Sequence, residues 1–146
     1  MIGVQYTVTK KSQSVLIDID GATDSHKAGL RNALHDIGEL FKREQARILT
    51  TGPKTGRVYL RSGRNHQASA PREAPASDTG RLVRSANYRV SSWRSMTVGE
   101  KAPYAVYLEE GTFKMRPRPH MIVAANGIAG DAVNLLYRRT MEEINK

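Results

Sequence analysis

From Asp24 to Thr51 the chain carries no proline, and Leu30, Leu34, Ile37, Phe41, Ile48 and Leu49 recur at three- and four-residue steps. That spacing puts them on one stripe of an α-helix. Glu39, Lys42, Arg43 and Arg47 occupy the other side. Asp24 or Ser25 is the expected N-cap, and Gly52 before Pro53 the expected stop. A helix of about 25 residues is near 38 Å long. An element of that length spans a small domain, so the remaining chain has to be arranged around it.

At 146 residues the sequence suits a single domain, 1–146. No apolar run reaches the roughly 18 residues of a membrane span, which excludes a transmembrane helix. Residues 1–20 alternate apolar and polar and include Asp18 and Asp20, a pattern unlike the continuous apolar stretch of a signal peptide. Without cysteine, disulfides, thiolate metal sites, Fe–S clusters and a cysteine nucleophile are all excluded. The net charge is +9, and its placement is uneven. Residues 1–51 and 96–146 each carry seven basic and six acidic side chains, whereas 52–95 carry nine and two, a local +7. Such a stretch is either a solvated loop or a surface for phosphate, acidic protein or another anion.

Around the helix the patterning predicts an α+β domain. Val4, Tyr6 and Val8, then Val15, Ile17 and Ile19, alternate with polar neighbours on either side of Lys10–Gln13, which reads as an N-terminal hairpin over 2–20. Ala86, Tyr88 and Val90, then Met96 and Val98, read as a second hairpin around Trp93-Arg94. Pro103 should open a short helix carrying Tyr104, Ala105, Tyr107 and Leu108, ended by Gly111. The prolines in Arg116-Pro117-Arg118-Pro119 keep that stretch extended. Ile128, Ala129, Ala132, Val133, Leu136, Thr140, Met141 and Ile144 keep helical step to the C-terminus. The expected architecture is one antiparallel sheet of about four strands, with two long helices packed on one face. The part from 81 to 146, introduced by a capped helical turn at Asp78–Val83, completes the fold.

Residues 52–80 break the pattern. Val58–Leu60 could form a short strand, but Arg61–Gly80 has alanine as its only apolar residue. A segment so poor in apolar surface is expected as an extended basic arm, either a tether or a strap ordered by a neighbour. Arg61, Arg64 and Arg72 would supply contacts, and Pro71 and Pro75 would lower the entropy cost of ordering.

Enzyme motifs do not appear. His26, His35, His66 and His120 fall in no ligand spacing and read as surface or capping residues, so no metal or cofactor is expected. Gly52–Gly56 lacks the phosphate-loop spacing and follows a helix. Glu109-Glu110 and Glu142-Glu143 are adjacent, about 100° apart on a helix, and make no dyad. Tyr59, Tyr88 and Trp93 lie in the basic third, but Arg61–Gly80 has no aromatic residue between its charges, so only non-specific backbone contact with nucleic acid is supported.

One region is more specific. Tyr104-Ala-Val-Tyr107-Leu108-Glu109-Glu-Gly111-Thr112, then Arg116-Pro-Arg-Pro119, then an amphipathic C-terminal helix, resembles the tail-component or neck proteins of long-tailed bacteriophages. Their core reads Tyr-Ala-x-Tyr/Val-Leu/Val-Glu-Phe-Gly-Thr. The upstream Ala70-Pro71, Ala74-Pro75 and Thr79-Gly80-Arg81-Leu82 resemble the family's Ala-Pro-rich arm leading into Thr-Gly-x-Leu. Glu110 stands where an aromatic residue is usual, and His120 where phenylalanine is. The resemblance implies a non-enzymatic virion protein of the head–tail junction, assembled in the host cytoplasm. It implies a hexameric ring around the DNA channel, contacting neighbouring neck and tail proteins. The arm would dock on protein or, facing the lumen, touch DNA. The alternative class is a DNA-binding accessory protein that uses 52–95.

Overall fold

A computed structural model describes residues 2–9, 12–19 and 21–146, the first two segments as strand course and register. The Lys10-Lys11 link and the facing of side chains over 1–20 lie outside the described residues. In chain order the elements are β1 (Ile2–Thr9), β2 (Ser12–Ile19), α1 (Asp24–Thr51), β3 (Val58–Arg61), β4 (Arg64–Gln67), α2 (Arg81–Ser85), β5 (Ala86–Ser92), β6 (Ser95–Glu100), α3 (Ala105–Glu110), α4 (Met121–Gly127) and α5 (Ala129–Ile144). The fold is α+β. The hairpins β1–β2 and β5–β6 are joined by antiparallel pairing of Ser12–Leu16 with Ser95–Gly99, giving the order β1-β2-β6-β5. The strands β3 and β4 form a separate two-stranded sheet.

The long helix forms where its stripe predicts, over 28 residues. Its N-cap is Thr23 rather than Asp24 or Ser25. The Thr23 hydroxyl accepts from the His26 N–H at 3.4 Å, and His26 Nδ1 accepts in return from the Thr23 N–H at 3.3 Å. An imidazole thus takes the place of the usual Glu or Gln in a capping box. At the other end Gly52 stops the helix in an extended conformation, φ −62° and ψ 156°, as Pro53 demands of its predecessor.

Two glycines explain how α1 is packed. A Cβ on Gly29 would lie 2.7 Å from the Thr140 Cα of α5, and one on Gly38 would lie 2.4 Å from the Tyr88 ring of β5. Nine residues separate them, so they face opposite sides of the helix. The spine is therefore sandwiched. Its contacts with the sheet run through β5 and β6, while α5 packs along α1 itself. This corrects the expectation of two long helices side by side on the sheet. The reason lies in the width of the buried stripe, which includes Gly29, Ala33, Gly38 and Gln45 beside the larger apolar residues. The main core joins Leu34, Ile37, Phe41, Met96, Val98, Ala124, Ile128 and Leu136. A smaller core gathers Leu49, Leu82, Ala102 and Ala105 at the C-terminal end of α1.

Other boundaries shift. The C-terminal helical region begins at Met121, with a break at Ile128 between α4 and α5. The turn at 81–85 forms, but its N-cap is Gly80 in the left-handed region, without a side-chain cap. Asp78, at the start of that segment, pairs with Arg61 at 2.7 Å.

The close approach at Gly38 sets a test against ordinary helix propensity. Gly38→Ala should lower stability by about 1–3 kcal/mol, because the Tyr88 ring has to shift. Gly130→Ala, where nothing lies within 4 Å of the added Cβ, should raise it by roughly 0.5 kcal/mol. Thermal denaturation of both variants checks the contrast.

Candidate functional site

Glu109 stands in the last turn of α3, and its carboxylate accepts the backbone N–H groups of His120 (2.8 Å), Met121 (3.1 Å) and Ile122 (3.0 Å). The start of α4 has no side-chain cap of its own, so a carboxylate from another helix satisfies its orphan donors. Next to it His120 is fully buried, at 0% exposure. Its Nδ1 lies 3.0 Å from Glu109 Oε2 and its Nε2 lies 2.9 Å from Glu100 Oε2. Gln45 of α1 donates to the Glu100 carboxylate from the far side. Burial works against the His120 charge, but the hydrogen bonds its ring donates to the two carboxylates outweigh it and raise the imidazole to about 9. Burial likewise opposes ionisation of Glu109, and its bonds to His120 and to the α4 backbone hold it down at about 2. The imidazolium thereby ties together α1, β6, α3 and α4, sealed from solvent. This overturns the reading of His120 as a surface or capping residue. Adjacency in sequence had set Glu109 against Glu110, whereas the fold pairs Glu109 with Glu100 across one imidazole.

The residues of the resembling motif surround this clasp. Tyr104 occupies the α3 N-cap position under the Arg81 guanidinium, 5.8 Å from the ring centroid. Leu108 is half-buried and packs on the smaller core with Tyr104. Tyr107 is 57% exposed and points to water, whereas Ala105 turns inward. Gly111 adopts φ +80°, and a Cβ there would lie 2.6 Å from the Met115 carbonyl oxygen and 2.8 Å from Pro117 Cδ. The Thr112 hydroxyl accepts the N–H groups of Lys114 (3.2 Å) and Met115 (3.1 Å). The Arg118 N–H then returns to the Leu108 carbonyl at 2.7 Å, and Pro119 leads into the clasp. At the tip of this closed turn Phe113 is 97% exposed. Sequence reasoning missed Phe113, Gln45, Glu100 and His120. The family's phenylalanine at position 120 hinted at a core position there.

The arm is folded onto the domain, not loose. Ser62 (φ 50°) and Gly63 (φ 77°) make the tight turn between β3 and β4. The Glu73 carboxylate accepts the Thr55 N–H (2.9 Å), the Ala70 N–H (2.7 Å) and the Thr55 hydroxyl, which hold its carboxyl below the usual range. Lys54 Nζ donates to the Ile48 carbonyl at 3.2 Å and to the Ala74 carbonyl at 2.9 Å, so one ammonium caps α1 and latches the arm. The Ser77 N–H reaches the Leu49 carbonyl, the Arg72 N–H reaches the Pro117 carbonyl, and Arg118 Nη1 donates to the Ser69 hydroxyl at 2.8 Å. Polar bonds therefore do what apolar burial could not, and this corrects the expectation of an extended arm. Of the arm residues, Arg61 is held by Asp78, Pro75 is buried, and Arg64, Pro71 and Arg72 face solvent.

Among the described residues no group of three or more His, Asp or Glu side chains is arranged to hold a metal ion, and no helix is long and apolar enough to cross a membrane. The chain matches no family model, no curated protein and no solved structure.

The clasp sets a pH dependence of stability. The His120 contribution is complete below the ordinary imidazole value of 6.5 and is lost as pH rises through about 9. That of Glu109 is complete above the ordinary carboxyl value of 4.5 and is lost as pH falls towards about 2. Melting temperature should therefore peak between about pH 4.5 and 6.5. His120→Phe should flatten the alkaline decline and cost about 3–5 kcal/mol near pH 6, since it leaves Glu100 buried without its partner. Melting curves across pH check both. For the arm, Glu73→Ala should speed trypsin cleavage after Arg72 several-fold while far-ultraviolet circular dichroism stays unchanged.

Proposed function

We propose that this chain is a structural protein of the head–tail junction of a long-tailed bacteriophage. In this reading it forms a hexameric ring around the DNA channel, joins neighbouring neck and tail proteins in the virion, and is not an enzyme. The observation that carries the reading is where the resembling motif leads. Tyr104–Thr112 supplies Glu109 to the buried clasp, and the turn tied by Gly111 and Thr112 holds Phe113 in water. A large aromatic side chain held out on a tied turn suits an anchor for a protein–protein contact. The four-stranded sheet, α1 and α5 then serve as the rigid body on which such contacts are mounted. The latched arm suits docking between proteins better than sweeping through a lumen, because most of its polar groups are already engaged.

A second reading rests on charge. Arg57, Arg64, Arg72, Arg81 and Arg89 are all exposed, within the segment of local +7, and a DNA-binding accessory protein would use them on phosphates. Electron micrographs of the concentrated protein should show closed rings, and duplex DNA should bind weakly. A strict monomer with tight binding to duplex DNA that weakens steeply with salt would replace the first reading by the second.

A further inference from the structure

One residue of the arm carries backbone strain with no evident return inside the chain. Ala70–Glu73 closes as a tight turn, with the Glu73 N–H on the Ala70 carbonyl at 3.1 Å. Pro71 holds its second position, and Arg72 holds its third at φ +74°. Glycine suits that place, and a side chain there strains the backbone. Two bonds keep Arg72 in it: the closing bond of the turn, and its own N–H on the Pro117 carbonyl at 3.1 Å. The guanidinium is exposed and has no ion-pair partner among the described residues. A charged side chain held at a strained position, and unused by its own fold, points to a use outside it.

The bond to Pro117 also sets where that charge stands. It brings Arg72 of the arm beside the turn that bears Phe113. Lys114 and Arg116 of that turn are exposed and likewise unpaired among the described residues. Arg118 donates to the Ser69 hydroxyl and ties the two segments together. Two carboxylates lie close by in sequence. Glu73 is engaged by Thr55 and Ala70, whereas Glu110 is exposed on the Phe113 turn itself. Phe113 therefore shares its surface with three unpaired cations and one carboxylate.

Charge decides what covers such a surface. A second copy lacks the acid for it. Among the described residues, every carboxylate except Glu110 and Asp131 already holds a cation or a backbone N–H of its own chain. Nucleic acid would take the three cations on its phosphates but would repel Glu110. An acidic protein suits both the ring and the charges, because protein contacts seat an aromatic anchor in a desolvated pocket and keep charged groups at the rim.

We propose that Phe113, Lys114, Arg116 and Arg72 form one contact surface for an acidic protein other than this chain, whose apolar pocket takes the ring and whose carboxylates take the cations around it. The inference rests on the assembly reading above and states the chemistry of the neighbour. The left-handed turn presets Arg72 on the rim before the partner arrives, so less order has to be imposed on binding.

Arg72→Gly separates this role from a structural one, because glycine relieves the strain and removes the charge. Its melting temperature should rise. Fluorescence anisotropy with two labelled probes reads the binding: poly-glutamate, and a glutamate–tyrosine copolymer matched to it in carboxylate number. The wild-type chain should hold the copolymer about tenfold more tightly, and Phe113→Ala should abolish that preference. Arg72→Gly should weaken both probes several-fold and make binding less sensitive to salt. Equal wild-type affinity for the two probes, or wild-type binding by Arg72→Gly, would overturn the proposal. A lower melting temperature for Arg72→Gly would assign the residue to the fold and overturn it too, as would tighter binding of duplex DNA than of the copolymer. If the chain still forms rings, the assembly reading survives any of these failures; if it forms none, that reading falls as well.

Discussion

Glu109 accepts three backbone N–H groups and faces an imidazolium at once, and the geometry of the C-terminal part follows from that arrangement. A helix start buried beside a core needs acceptors for its first donors. Here the acceptor comes from α3, which fixes the end of α3 against the start of α4. The chain between them, from Glu110 to Pro119, has no freedom except to loop outward. Gly111 permits the reversal, Thr112 ties the turn, and Phe113 is left at its tip. Exposure of that ring is thus a consequence of the buried Glu109–His120 charge pair that brackets it in sequence.

The clasp also connects the two halves of the domain. Gln45 belongs to the spine and Glu100 ends the strand that joins the two hairpins. Both meet His120 or its partner in the buried interior. A buried pair of this kind adds little to stability compared with apolar packing of the same volume, but breaking it is costly. Its effect is specificity of arrangement: α3 and α4 have to sit on α1 so that Glu109 reaches Nδ1 and Glu100 reaches Nε2 of one ring. The arm shows the same economy in polar groups. Lys54 and Glu73 each hold several backbone atoms and so order a segment with almost no apolar surface to bury.

Much of the fold was legible from patterning. The spine, the Ala86–Glu100 hairpin, the short helix after Pro103 and the final helix all follow from periodicity and from glycine and proline positions, which act locally. The misplaced features were tertiary in origin. Tyr107 fits the helical pattern of a core residue, but the facing surface is occupied by Leu108 and Ala105, so the tyrosine points to water. His120 matches no motif spacing, since its partners lie twenty and eleven residues away and approach only when β6 and α3 are packed. The arm read as unstructured because apolar content was the measure, whereas polar latches hold it.

The sequence by itself determined which segments become helix or strand, because backbone preference and hydrophobic periodicity are properties of neighbouring residues. It also determined the excess of positive charge between 52 and 95 and the absence of any thiol chemistry. Tertiary structure alone decided that α1 lies between sheet and α5, that His120 is an interior cation, and that one face of α5 and the tip of the Gly111–Met115 turn remain uncovered. The reason is physical. Burial is decided by what stands opposite a residue, and that neighbour comes from a distant part of the chain whose position depends on every other packing choice.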